Sequence, residues 1–317
     1  MTRRHFDLMA AGLAGTSGCS AGEPEMRAQA TSMADRLDLA IIPILWANTL
    51  VPDAVGIDGK SVGRLRVPEK PWLVSVSPDC GWIAWALQAA FPPPIGSGDA
   101  KVFFTDARSP IKTMQLERGF PLQLSLSSDA EHLALISEST APLEVRLTVL
   151  NPRTGELQRD LSGLLASLGT ANARLRISSD GQRLAVGAKE RFMIVNVQAG
   201  RVLWESEGHL QSLSPNGDSV AFITKKGALV VTSLITRTSR ELVVRWRTVA
   251  GLGPWSPDGR FLLAGITGGL SIFTRLAVIE PATGEFTEIA RLAEGDQGQQ
   301  SAWVKRSFLT ARGAFGN

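Results

Sequence analysis

One short turn recurs along the chain and limits what it can fold into. Its copies are Ser77-Pro78-Asp79-Cys80-Gly81, Ser127-Ser128-Asp129-Ala130, Ser178-Ser179-Asp180-Gly181, Ser214-Pro215-Asn216-Gly217 and Ser256-Pro257-Asp258-Gly259. The leading serines stand 50, 51, 36 and 42 residues apart. An apolar run follows each copy: Trp82 to Ala86, Leu133 to Ile136, Leu184 to Val186, Val220 to Ile223 and Phe261 to Ala264. Pro presets φ inside such a turn, the Asp or Asn side chain accepts a backbone N–H two residues on, and Gly supplies the positive φ that closes a hairpin. Asp79, Asp129, Asp180, Asn216, Asp258 and Gly259 are therefore structural turn residues.

Further strands follow each hairpin, such as Val145 to Leu150 and Leu276 to Glu280, and several lead into Asn-Pro-Arg-Thr-Gly or Pro-Ala-Thr-Gly turns at residues 151–155 and 281–284. A unit of four strands repeating every 40–45 residues or so is a propeller blade. The Ser-Pro-Asp-Gly, apolar strand, Thr-Gly-Glu grammar resembles the TolB-type β-propeller repeat, a relative of WD-repeat blades, over residues 41–317. The copies depart from it singly: Ala130 replaces Gly, Asn216 replaces Asp, and Cys80 displaces Gly81 by one place.

The pattern predicts an all-β fold, one β-propeller of four-stranded antiparallel blades. Five blades run over 72–116, 122–160, 173–207, 209–246 and 250–291. An open ring would expose two sheet edges, so the ends should close it. Residues 301–311 echo 253–264 and are expected to supply the two inner strands of a last blade, with residues 41–50 and 54–67 adding the others. That makes six blades; seven follow if residues 38–67 form a blade of their own.

Three segments are expected: an export signal with a lipobox over 1–19, a flexible spacer over 20–37, and the propeller over 38–317. Arg3 and Arg4 ahead of the short apolar stretch Leu8 to Gly15 resemble a twin-arginine export signal. Thr16-Ser17-Gly18-Cys19 resembles a lipobox, which marks Cys19 for lipidation and places the protein in the periplasm, anchored by lipid to a bacterial membrane. Residues 20–36, rich in Gly, Glu, Gln, Thr and Ser, read as the spacer. Without residues 1–18 the chain carries 31 basic against 29 acidic residues. So even a balance gives no footprint for nucleic acid. With Cys19 acylated only Cys80 remains, a small buried side chain rather than a nucleophile.

Motifs that suggest chemistry dissolve on inspection. Residues 54–61 match a loose phosphate-loop pattern, but that chemistry needs a helix after the loop. Here Val62 to Pro68 alternates like a strand, so Asp58-Gly59 is a hairpin turn. The chain has no tyrosine, which excludes the tyrosine nucleophile of sialidase-type propellers. Of three histidines, His5 lies in the leader, His132 in a hairpin as a solvated side chain, and His209 between blades. No Gly-x-Ser-x-Gly elbow is present. Most of the eight tryptophans fall at strand positions, where packing between blades accounts for them. No catalytic, cofactor-binding or metal-binding residue is assigned, and no cofactor is expected.

Topology puts both sets of tight turns on one face of the disc. The opposite face carries longer connections, including Phe91-Pro92-Pro93-Pro94, and long loops on a rigid scaffold carry recognition. Phe91, Pro92, Pro93, Pro94 and His209 are the candidate partner-binding residues. The resemblance implies a non-catalytic, monomeric cell-envelope propeller that binds a protein or peptide through this face. TolB proteins carry an additional amino-terminal domain that the 20 or so residues after Cys19 do not provide. The alternative is a periplasmic enzyme acting on a sugar or lactone through carboxylates at the central channel.

Overall fold

The computed structural model describes residues 23–44, 53–65, 73–86, 101–106, 108, 111–115, 120–140, 143–169, 173–242, 247–268, 274–291 and 300–310. Arg3, Arg4, Cys19 and Phe91 to Pro94 lie outside them.

The repeat becomes six antiparallel sheets arranged as a six-bladed propeller. Blade 1 comprises Leu73–Val76, Trp82–Ala86, Lys101–Asp106 and Lys112–Gln115. Blade 2 comprises Phe120–Leu126, Leu133–Thr140, Leu143–Leu150 and Leu157–Asp160. Blade 3 comprises Arg174–Ile177, Arg183–Ala188, Arg191–Asn196 and Arg201–Glu207. Blade 4 comprises His209–Leu213, Ser219–Ile223, Leu229–Ser233 and Ser239–Leu242. Blade 5 comprises Arg247–Trp255, Leu262–Gly268, Thr274–Glu280 and Glu285–Arg291. The first strand of each blade touches the first strand of the next right round the ring, so these strands are innermost.

Both ends of the described chain build blade 6, but not as the echo of residues 253–264 suggests. Gln300–Lys305 is the inner strand, and it pairs with Leu39–Ile44 in an unbroken register from Leu39↔Lys305 to Ile44↔Gln300. Asp53–Val55 and Ser61–Leu65 follow outward. The chain then passes through a short 3-10 turn and adds Leu309–Thr310 as a fifth, outermost strand on Ser61–Leu65. The carboxy-terminal segment thus contributes the inner and outer edges of the blade rather than two inner strands. Asp58-Gly59 forms the expected hairpin turn, with Gly59 at φ 79° and the Lys60 N–H donating to Asp58 Oδ1 at 3.0 Å.

The recurrent turn has the same internal wiring in all five copies, and its hub is the serine. Each serine hydroxyl donates to the Asp or Asn two residues on, at 2.5–2.7 Å. It also accepts the N–H of the fifth residue along, at 2.9–3.0 Å. The Asp or Asn Oδ1 meanwhile accepts the N–H two residues beyond itself, at 2.9–3.2 Å. The fourth position has positive φ throughout, 57° at Cys80, 53° at Ala130, and 70–72° at Gly181, Gly217 and Gly259. Cys80 therefore occupies the glycine place itself and does not displace it. Burial also pushes its thiol well above the usual cysteine range, in keeping with an inert packing residue.

Burial ranks the turn residues. Ser256 is fully buried, whereas the Asp258 side chain is partly exposed, at 20%. Ser256→Ala would leave the buried Phe261 N–H without an acceptor and lower stability by about 1–3 kcal/mol. Asp258→Ala removes an acceptor that water can partly replace and costs about 1 kcal/mol. Urea unfolding of the two variants checks the order.

Two connections carry regular structure. Leu133–Thr140 and Leu143–Leu150 pair along their whole length. Between blades 2 and 3 lies a short helix, Ser162–Leu168, which buries Leu165 and Leu168 against both blades. Asp160 Oδ1 accepts from the Ser162 N–H and hydroxyl at its start, and those bonds hold the Asp160 carboxyl below its ordinary range.

The larger departure is at the start. Where composition suggests a spacer, Glu23–Arg36 is a helix, α1. Met26, Ala30, Met33 and Ala34 form one buried face packed on Phe261, Leu263, Leu276, Val278 and Ile289 of blade 5 and on Leu39, Ile41 and Trp303 of blade 6. Arg27 donates to the Glu288 carbonyl at 2.8 Å, and Arg260 donates to Gln29 Oε1 at 2.9 Å.

Candidate functional site

The six inner strands enclose a central channel with a cavity of about 70 Å³. Its wall draws on every blade, from Leu73 to Pro78 on blade 1, through Gln123, Ser125, Arg176, Leu213 and Trp255, to Ala302 on blade 6. Pro78 and Pro215 belong to the recurrent turns, so the void reaches the turn face of the disc.

A ladder of hydrogen bonds holds that end of the channel. The Asp79 N–H donates to Ser128 Oγ at 3.1 Å, the Ser128 N–H to the Ser179 carbonyl at 2.9 Å, and the Ser179 N–H to the Pro215 carbonyl at 2.7 Å. Four successive blades are thereby tied through the second and third residues of their turns. The variable second position of the motif, which no turn rule explains, has a role here: Ser128 and Ser179 bridge to the next blade.

The wall mixes apolar side chains with Ser75, Gln123, Ser125 and Arg176. Arg176 is its one charged side chain among the described residues. Its Nη1 donates to the Leu175 carbonyl of its own strand at 2.8 Å, and no carboxylate pairs with it. Burial pushes its guanidinium down to about 10, with repulsion from Arg174 adding to the effect, so it is still a cation at neutral pH. Arg174, two residues earlier on the same side of the strand, donates to Gln211 Oε1 of blade 4 at 2.7 Å. It too has no acidic partner, and burial lowers its pKa. The Ser125 hydroxyl accepts the Ile177 N–H at 3.0 Å, which leaves its own proton free to donate. The Trp255 indole N–H is buried without an acceptor, as is the hydroxyl of Ser212 on the inner strand of blade 4.

Nothing in the recurrent motif marks Arg174 and Arg176. The alternation Arg174-Leu175-Arg176-Ile177 reads as an ordinary half-exposed strand. Only its position ahead of the Ser178 turn, which makes it an inner strand, turns those arginines toward the axis.

The other candidates are dispersed. His209 is exposed at the first position of the inner strand of blade 4, opposite Ile223, away from the turn-face end of the channel. Its carbonyl accepts from Gln211 Nε2 at 3.1 Å. His132 is not merely solvated: Nδ1 lies 2.8 Å from Gln158 Oε1, in a recess between blades 2 and 3. Among the described residues no three His, Cys, Asp or Glu side chains gather as a metal site would require. The described channel wall also contains no carboxylate of the kind the sugar or lactone reading places there.

No family model matches the sequence, and no curated protein is similar to it. Solved structures share the fold. TolB from Acinetobacter baumannii aligns with a TM-score of 0.53 at 11% identity, over 84% of this chain and 66% of that one. The periplasmic gluconolactonase PpgL of Pseudomonas aeruginosa aligns at 0.51 and 16% identity, over 84% of this chain and 99% of that one. Hydrazine synthase of Kuenenia stuttgartiensis matches at 0.40 and 17% identity over 55% of this chain. The chain spans about half (49%) of the length of that synthase and 66% of that of TolB. At these identities the likeness shows the propeller fold alone.

Proposed function

We propose that this protein is a non-catalytic β-propeller of the cell envelope that binds a protein or peptide partner. The observation that carries the reading is the channel wall: an unpaired cation and several spare donors set in apolar surface, on strands locked blade to blade. Such a wall suits holding a group rather than transforming it, since the general acid–base and metal mechanisms of hydrolysis draw on carboxylates, histidines or a liganded ion. The likeness to TolB fits a binding role and the likeness to a gluconolactonase fits an enzyme; the composition of the channel tips the balance to binding. The leader with Arg3 and Arg4, and a propeller neighbour that is periplasmic, support the envelope location. Lipid attachment at Cys19 belongs to the same reading.

The partner engages the long-loop face, through Phe91 to Pro94 and His209. Replacing Phe91 to Ile95 with a short Gly-Ser linker is expected to abolish capture of a partner from envelope extracts while leaving the unfolding midpoint within a degree or so. A change of loop length alone alters stability by only about 0.6 kcal/mol per doubling. Capture that survives the replacement overturns the assignment of this face. Turnover of lactones by the purified protein, lost on mutating channel residues, would overturn the binding reading itself.

A further inference from the structure

We infer that the central channel is a receptor for a carboxylate with an apolar neighbour, and that Arg176 is the residue that holds it. This rests on the binding reading above and names the chemical group bound.

Burying a guanidinium without a carboxylate is unfavourable unless something else compensates the charge. Arg176 lines the void, uses one N–H on its own strand's Leu175 carbonyl, and has no acid within reach among the described residues. The second arginine, Arg174, bonds only the neutral Gln211 and raises the positive potential there. Two residues ahead of the turn serine the other blades of the repeat place Ser75, Ser125, Ser212 and Pro254, so the charge at Arg176 is the exception among equivalent positions. The uncompensated charge points to an anion supplied from outside.

The shape of the donors narrows the anion. The free edge of a guanidinium presents paired N–H groups that match a carboxylate in a two-point contact. Beside the same void stands the Ser125 hydroxyl, its own proton uncommitted among the described residues; Trp255 also lines the void, with its indole N–H enclosed in the core between blades 4 and 5. The rest of the wall is Leu, Val, Ile, Pro and Ala with Ser75 and Gln123 among them, which leaves apolar surface for an alkyl group beside the charge. The cavity, about 70 Å³, is small beside ordinary ligand pockets of about 300 to 1,000 Å³, so it takes the carboxylate end of a ligand and the first carbons behind it rather than a whole ligand. The chain terminus of a peptide and a small organic acid both satisfy this chemistry.

The test uses the intact protein and two probes at constant ionic strength, hexanoate and N-acetyl-leucyl-leucine, each beside its amide. Both acids are expected to raise the thermal midpoint saturably and to change tryptophan fluorescence, the latter response lost in Trp255→Phe. Neither amide should do so. Arg176→Met is expected to unfold at a higher temperature than the parent when no ligand is present, and to bind the acids at least tenfold more weakly. Arg176→Lys, which keeps the charge but not the fork, should fall between. Tighter binding of the peptide acid would assign the carboxylate to a protein terminus, and tighter binding of hexanoate to a small acid. Equal binding of acid and amide, unchanged affinity in Arg176→Met, or saturation by sulfate but by neither carboxylate overturns the inference. If envelope capture survives in Arg176→Met while the acids do not bind the parent, the inference falls and the binding reading stands. If the acids bind and the parent captures nothing, the binding reading falls and the carboxylate site stands.

Discussion

Replacing Met26 and Met33 together with Ala is expected to lower the free energy of unfolding by about 4–6 kcal/mol. Both side chains are almost wholly buried, at 1% and 3% exposure, between α1 and the facing blades 5 and 6. Truncating a buried Met typically removes 2–5 kcal/mol, the lost transfer energy plus the cavity left behind. The low end applies here because Ala favours the helix by a few tenths of a kcal/mol and α1 can settle a little onto the blades. The two positions lie about two turns apart, near 10 Å along the helix, so their effects should nearly add. The total rivals the whole stability of many domains, about 5–15 kcal/mol. Urea unfolding with the slope held common reads it directly. An unchanged midpoint would mean that residues 20–37 are a tether, as their composition suggests, and that the propeller closes without them.

That helix shows why some of the structure could be read from sequence and some could not. The blades announce themselves because each turn must satisfy the same local demands, acceptors for two backbone amides and a residue at positive φ, and few residue types meet them. Even the exceptions are local: Cys80 and Ala130 adopt positive φ, at 57° and 53°, because the serine and aspartate bonds around them hold the turn. Helix α1 has no such grammar. Its inward residues Met26, Ala30, Met33 and Ala34 do follow the i, i+4, i+7, i+8 spacing of one helix face. Two of the four are alanines, however, and the rest of the segment is Glu, Pro, Arg, Ala, Gln, Thr, Ser and Asp, so composition points to a spacer. What makes it a helix is the apolar face of blade 5 beneath it, more than 220 residues away in the chain. The channel arginines are hidden for a related reason. A strand's alternation tells which residues share a side, not whether that side meets a neighbouring blade, solvent or the axis. The echo of residues 253–264 in 301–311 misled in the same way, because likeness of strand pattern does not fix which edge of a sheet a strand takes.

Removal of the chain from Gln300 onward is expected to abolish cooperative unfolding altogether. Gln300–Lys305 is the inner strand of blade 6, and its six register pairs with Leu39–Ile44 are the seam that joins the two ends. The segment also buries Trp303, Val304, Phe308 and Leu309, each 7% exposed or less. Four large apolar side chains at about 1.5–3 kcal/mol apiece amount to about 6–12 kcal/mol, an upper estimate because the unfolded chain already hides some of that surface. That is the size of the total stability of an ordinary domain. The damage would not stay local. Leu39–Ile44 would lose its inner partner and become a bare edge, and the inner strands of blades 5 and 1 would lose the strand that both touch. Trp303 also packs against the face of α1, so the helix would loosen with it. The truncated protein should therefore show strand signal by circular dichroism but weak amide protection, a broad denaturant transition and self-association through the open edge. Adding a peptide of residues 300–310 in trans should restore part of the protection, because the groove it fills is still templated by Leu39–Ile44. A truncated protein that kept its midpoint and its monomeric state would show that the ring is held shut elsewhere, and that the pairing of its two ends is not what closes it.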